Sequence, residues 1–153
     1  MSGSAPNEPG VAGMRRLDTT LPADARQVRS RAGAVRAAVA EALDAARADD
    51  LEQAVAEALA NAVEHGSRAG DTVRVQVDVV SDSVEVRVVD AGHGEIVWPP
   101  APDRPRPGSE SERGRGLALL HRLADEVEIR HEDGRRATVV RVRRPGRWPG
   151  ERP

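Results

Sequence analysis

The sequence predicts an α+β fold, a two-layer sandwich of helices on a sheet. Two observations carry that expectation. Amphipathic helical periodicity fills the first half of the chain and alternating valines fill the second. The segments then follow the order helix, helix, strand, strand, loop, helix, strand, strand, with runs of helices and hairpins in place of alternating βαβ units. At 153 residues the chain is long enough for one domain with a real core.

Residues 27–47 place Val28, Ala32, Val35, Val39 and Leu43 at spacings of three and four, which predicts the first helix. Asp49 or Asp50 is the expected cap of a second helix. Its apolar face is Leu51, Ala54, Val55, Ala58, Leu59, Ala62 and Val63, and Gly66 stands where a C′ glycine ends a helix. Val73, Val75, Val77 and Val79 then alternate with polar residues, as do Val84, Val86 and Val88, with the turn Ser81-Asp82-Ser83 between them. A segment rich in Pro and Gly runs from about Gly92 to Gly114. A short helix follows over about 115–124, with Leu117, Leu120 and Ala124 on one face. Strands at 126–131 and 137–143 flank the hairpin signal Asp133-Gly134. Thr20 and Leu21 suggest an edge strand ahead of the first helix. The ordered domain is expected over 15–143, between flexible tails at 1–14 and 144–153 rich in Gly, Pro and Ser.

Composition removes several classes of function. There is no Cys, hence no thiol nucleophile or zinc–thiolate site, and all 23 basic residues are Arg, hence no P-loop or Schiff-base lysine. Phe and Tyr are absent, so no sheet of stacking aromatics can bind RNA. A net charge of −2 with interspersed signs does not favour direct contact with nucleic acid. No apolar run approaches the ~20 residues of a membrane span, and the N-terminal stretch does not read as a signal peptide. Cytoplasmic is the default expectation.

Four places carry candidate chemistry. In EALANAVEHG, Glu57, Asn61 and His65 follow one another at four-residue spacing on the flank of the second helix. A carboxylate and an amide oxygen one turn apart can share a hydrated Mg²⁺, and the carboxylate can equally accept a proton from an attacking hydroxyl. The alternative is a solvated polar flank, with His65 at the negative helix end. In VVDAGHGE, Asp90 shares the parity of Val84, Val86 and Val88, so it points inward and needs a partner. An adenine amino group is one such partner, and Gly92 and Gly94 would let backbone approach a flat ring. In RGRGLALL, Gly114 and Gly116 precede a helix whose free N–H groups suit phosphate, with Arg113 and Arg115 beside them. Solvated arginines at a loop-to-helix junction explain the same residues. Thr138 at the start of the last strand needs no function by itself.

Taken in order, these stretches resemble the GHKL ATPase superfamily, whose Bergerat fold packs helices on one face of a mixed, mostly antiparallel sheet. Its N box corresponds to Glu57 and Asn61, its G1 box to Asp90, Gly92 and Gly94, and its G2 box to Gly114 and Gly116. Within it the chain looks like the anti-sigma-factor serine/threonine kinases, which carry E-x-x-x-N-A-x-x-H-G, here Glu57 to Gly66. The resemblance covers about 17–143. It implies ATP and Mg²⁺ as cofactors, with Asn61 holding the metal, Glu57 acting on the attacking hydroxyl and Asp90 reading adenine. His65, Arg113, Gly114, Arg115, Gly116, Leu117 and Thr138 are the further expected ATP contacts. Residues 93–113 would form the ATP lid. It implies a role in transcription regulation, an anti-anti-sigma (STAS-type) protein as substrate, a sigma factor as alternative partner, and a homodimer. Two other readings stay open: a nucleotide-gated binding module without phosphotransfer, and a detached histidine-kinase catalytic domain. Superfamily members often carry Gly-Thr on the final strand where this chain has Ala137-Thr138, and five prolines between Pro99 and Pro107 stiffen the lid segment.

Overall fold

The computed structural model describes residues 13–94, 116 and 118–144. Strand β1 (Met14–Pro22) leads through a single 3-10 turn at Ala25–Gln27 into helices α1 (Val28–Ala38) and α2 (Ala45–Glu64). Strands β2 (Thr72–Val79) and β3 (Ser83–Asp90) form the first hairpin. A short helix α3, described at 116 and over 118–123, precedes the second hairpin, made of β4 (Glu126–Glu132) and β5 (Arg135–Arg143). The five strands lie in the order β1-β2-β3-β5-β4, and every pairing among the described residues is antiparallel. The expected two-layer α+β sandwich is therefore present.

The valine alternation explains the sheet. Val73, Val75, Val77, Val84, Val86, Val88, Val140 and Val142 are all buried, and the register sets Val75 opposite Val88 and Val77 opposite Val86. β-branched side chains fit that half-buried pleated surface. Against it α2 lays Leu51, Ala54, Val55, Ala58, Leu59 and Ala62, all buried, and packs over β3 and β5. Alanines at three positions let the helix approach closely without aromatic filling, which this chain lacks. The second hairpin turns through Asp133 at φ 53° and Gly134 at φ 76°, two consecutive left-handed residues as a type I′ turn requires.

The expected edge strand is longer than Thr20 and Leu21 alone. It begins at Met14, inside the stretch read as a tail, and pairs with β2 along its length through a register shift between Arg15 and Leu17.

The helix expected over 27–47 is interrupted. α1 ends at Ala38, residues 39–44 turn, and α2 starts at Ala45 with Asp44 as its cap, not Asp49 or Asp50. The Asp44 carboxylate accepts from the Arg47 amide at 2.8 Å, which satisfies one of the free donors of the first turn. Asp49 lies within the helix and pairs with Arg36 of α1. Periodicity hides the break because Val39 and Leu43 stay buried across the turn, so the apolar pattern runs on where the backbone does not.

Candidate nucleotide site

The site lies around the C-terminal half of α2. Glu57, Asn61 and His65 are half-buried along one flank, outside the fully buried face. Facing them is the start of α3. A Cβ built on Gly116 would stand 2.8 Å from Glu57 Oε1 and 3.9 Å from both Asn61 amide atoms. A side chain at 116 would push the Glu57 carboxylate aside. The fold thus brings the first and third sequence motifs, on α2 and α3, together, although they are separated by more than fifty residues.

The end of α2 reaches the other motif. The amides of His65 and Gly66 both donate to the Asn61 carbonyl, at 2.9 and 3.1 Å. Gly66 is not left-handed, so its expected reason, a C′ conformation, is replaced by a different one. A Cβ there would stand 2.3 Å from Asp90 Oδ2 and 2.6 Å from an Arg136 nitrogen. The glycine is a gap through which the helix end rests on a buried ion pair.

Asp90 is 2% exposed at the end of β3, as its parity requires. Its Oδ1 accepts from the Gly92 amide at 2.7 Å and its Oδ2 from Arg136 Nε at 3.4 Å. An ionised carboxylate has about four lone-pair positions, so acceptor capacity remains. Burial pushes the Asp90 carboxyl above the ordinary carboxylate range, while the Gly92 amide, Arg136 and His93 pull it back. Gly92 has φ +84°, and a Cβ there would meet the Gly134 carbonyl oxygen at 2.7 Å, so both conformation and space demand glycine. The His93 amide donates to the Gly66 carbonyl at 3.1 Å, and its Nε2 lies 3.3 Å from Asp71 Oδ2. Thr138 is 7% exposed, opposite Val88 and on the same inward face as Asp90.

Arg136 is the residue that motif reasoning missed. It is fully buried opposite Asp90 and donates from Nη2 to the His93 carbonyl at 2.7 Å and from Nη1 to the Gly94 carbonyl at 3.2 Å. A signal was present: Arg136 has the parity of Thr138, Val140 and Val142, and an inward arginine needs an inward acid. Arg113, Gly114, Arg115, Leu117 and the lid from residue 95 onward lie outside the described residues. Among the described residues no group of three or more His, Cys, Asp or Glu is placed to hold a metal ion. No helix of the described residues is long and apolar enough to cross a membrane.

Helices on one face of an antiparallel sheet, with an acid–amide flank and an inward Asp-x-Gly-x-Gly at its strand ends, define a class of nucleotide-binding domain. The family model for the histidine kinase-like ATPase domain matches residues 19–144. The chain belongs to that family, within the GHKL superfamily, and its likeness is to the anti-sigma-factor kinase group. It is 35% identical over 95 residues to a serine-protein kinase RsbW of Bacillus licheniformis, covering 56% of this chain and 59% of that protein. It is 29% identical over 102 residues to an anti-sigma F factor of Clostridium beijerinckii, covering 60% of this chain and 67% of that protein. The fold resembles the crystal structure of the RsbU and RsbW domains of Rv1364c from Mycobacterium tuberculosis, with a TM-score of 0.61 at 24% identity, over 88% of this chain and 34% of that one. The match to the Bacillus kinase thus spans about three-fifths of that relative's length.

Proposed function

We propose that this chain is an ATP-dependent protein serine/threonine kinase that phosphorylates an anti-anti-sigma (STAS-type) protein and sequesters a sigma factor, acting in the cytoplasm on transcription. The observation that supports the reading is that Glu57 and Asn61 on α2, and Gly66 just past its end, face two different candidate motifs. Glu57 and Asn61 face the start of α3 at Gly116, and nine residues on, Gly66 rests on Asp90. The helical part of that stretch, Glu57 to Glu64, rises about 10 Å at 1.5 Å per residue, so the two candidate motifs lie at separate points along the helix axis. The kinase and anti-sigma names of its relatives support the same reading.

In this reading Asp90 accepts from the adenine amino group, and the Gly92–Gly94 backbone lies against the ring. The N-terminus of α3 offers free amides to the phosphates. Asn61 would hold Mg²⁺ through its amide oxygen, a hard donor that suits the ion, and a bound ion would supply charge neutralisation on the triphosphate. Glu57, beside the phosphate end, takes the proton of the partner's Ser or Thr hydroxyl. His65, Thr138, Arg113, Gly114, Arg115, Gly116 and Leu117 complete the proposed contacts, and 93–113 the lid. The domain spans 15–143, and a homodimer follows the habit of such kinases.

Incubation with γ-labelled ATP and candidate STAS-type proteins tests this. Label on a Ser or Thr of the partner is the expected result. Label on His would instead indicate a detached histidine-kinase domain, and partner binding without label a nucleotide-gated module.

A further inference from the structure

Among the described residues, Asp90 and Arg136 are the two buried charged side chains. A buried guanidinium is expensive, and an apolar residue of similar volume is often as good for stability. The stability of this core therefore does not account for an arginine at position 136. Its described bonds all converge on one place: Asp90 Oδ2 at 3.4 Å, the His93 carbonyl at 2.7 Å and the Gly94 carbonyl at 3.2 Å. Each partner belongs to the strand end or loop assigned above to the base. The missing side chain of Gly66 leaves the space this arrangement needs.

We propose that Arg136 is the positioning residue of the base-recognition site: it orients the Asp90 carboxylate and pins the Gly92–Gly94 backbone before nucleotide arrives. The inference rests on the reading of Asp90 as the adenine acceptor. Arg136 acts through Asp90 and two carbonyls, so its effect shows in ligand affinity and in the pH range over which affinity survives. Without its charge the buried Asp90 carboxyl protonates more readily, and a protonated Asp90 no longer offers the base a carboxylate. The charged or titratable groups facing Asp90 are Arg136 from β5 and His93 from the loop, with Asp71 behind His93. Just past the end of α2, Gly66 faces it without a side chain.

The test measures the affinity of ATP with Mg²⁺ by calorimetry for the wild type, Arg136→Met, Arg136→Lys and Asp90→Asn. The measurements run from mildly acid to mildly basic pH, because burial raises the Asp90 carboxyl above the ordinary carboxylate range. Arg136→Met should weaken binding about tenfold near neutrality, the scale of a hydrogen bond to a charged group, with a deficit that widens in acid and narrows in base. Arg136→Lys keeps the charge but cannot bridge both carbonyls, so it should show a smaller loss with the wild-type pH profile. Wild-type affinity in Arg136→Met, or a deficit constant across pH, overturns the proposal. Should Arg136→Met fail to fold, Arg136→Lys decides: a deficit that grows in acid overturns it. A wild type that binds no ATP, indistinguishable from Asp90→Asn, removes the nucleotide reading itself and this inference with it.

Discussion

Glu57 and Asn61 sit one turn apart yet face the same glycine, and their chemistry separates on truncation. Glu57→Ala should leave ATP affinity near wild type and lower phosphate transfer by ~10²–10⁴-fold, the usual worth of a general base. Asn61→Ala should weaken Mg²⁺-dependent nucleotide binding instead, through loss of an oxygen ligand. Neither should unfold α2, since alanine is the best helix former and the apolar face is elsewhere. Calorimetry paired with a labelled-phosphate assay reads both effects, and wild-type values for both variants would return the stripe to a solvated flank. Gly66 makes a sharper case, because a methyl group there would stand 2.3 Å from a buried carboxylate oxygen. Gly66→Ala should cost about 1–3 kcal/mol, the range for overpacking, and weaken ATP binding at the same time. Urea denaturation that matches the wild type would show that the helix end moves freely off the ion pair.

At the scale of elements, α2 does two jobs with two faces. Its buried face anchors the helical layer on β3 and β5, and its flank lines the proposed site. Leu59 is fully buried on the first face. Leu59→Ala should destabilise the fold by about 2–5 kcal/mol, seen as a lower urea midpoint at an unchanged slope, while the temperature at which ATP protects shifts with it. A loss below about 1 kcal/mol, typical of an exposed site, would mean that α2 is not seated as described. The break between α1 and α2 is equally a matter of elements. Arg36 bridges it by pairing with Asp49 and, at 3.4 Å, with Glu52, and Asp44 caps the restart.

Across the whole molecule, the sheet face turned away from the helices is a lattice of arginine–carboxylate pairs. Asp18 accepts from Arg74 at 2.9 Å, Arg141 donates to Glu85 at 2.7 Å, and Arg87 reaches Glu132 at 3.0 Å. These opposite charges compensate one another, in keeping with the net −2 of the chain. Hydrogen bonds from Arg74 and then Gln76 lower the Asp18 carboxyl from 3.8 to about 2. The folded value lies below the unfolded one, so the stabilisation is present above pH 3.8 and is lost as pH falls towards about 2. Thermal unfolding followed through that window should show a shallower loss of stability for Asp18→Asn than for the wild type. Parallel curves would mean that solvent and salt screen the pair fully.

The sequence by itself determined the layers and the candidate chemistry. Alternating valines could only form half-buried strands, the unbroken stripe of α2 could only be a core helix, and Asp-Gly at 133–134 set the second hairpin. Glu57, Asn61, Asp90 and the glycines were legible because each departs from the local apolar pattern. Only the tertiary structure decided what those residues face. The end of α1 was invisible because Val39 and Leu43 keep the helical spacing through a turn, and burial, not backbone conformation, is what periodicity records. Gly66 looked like a helix stop, yet its reason is a contact with Asp90 and Arg136, which lie far along the chain. Arg136 is one arginine among 23, and its one signal, the parity it shares with Thr138, Val140 and Val142, does not name the acid that it faces. Its burial follows from the pairing of β3 with β5, which sets it opposite Asp90, and pairing between strands separated by a long connection is a property of the folded chain.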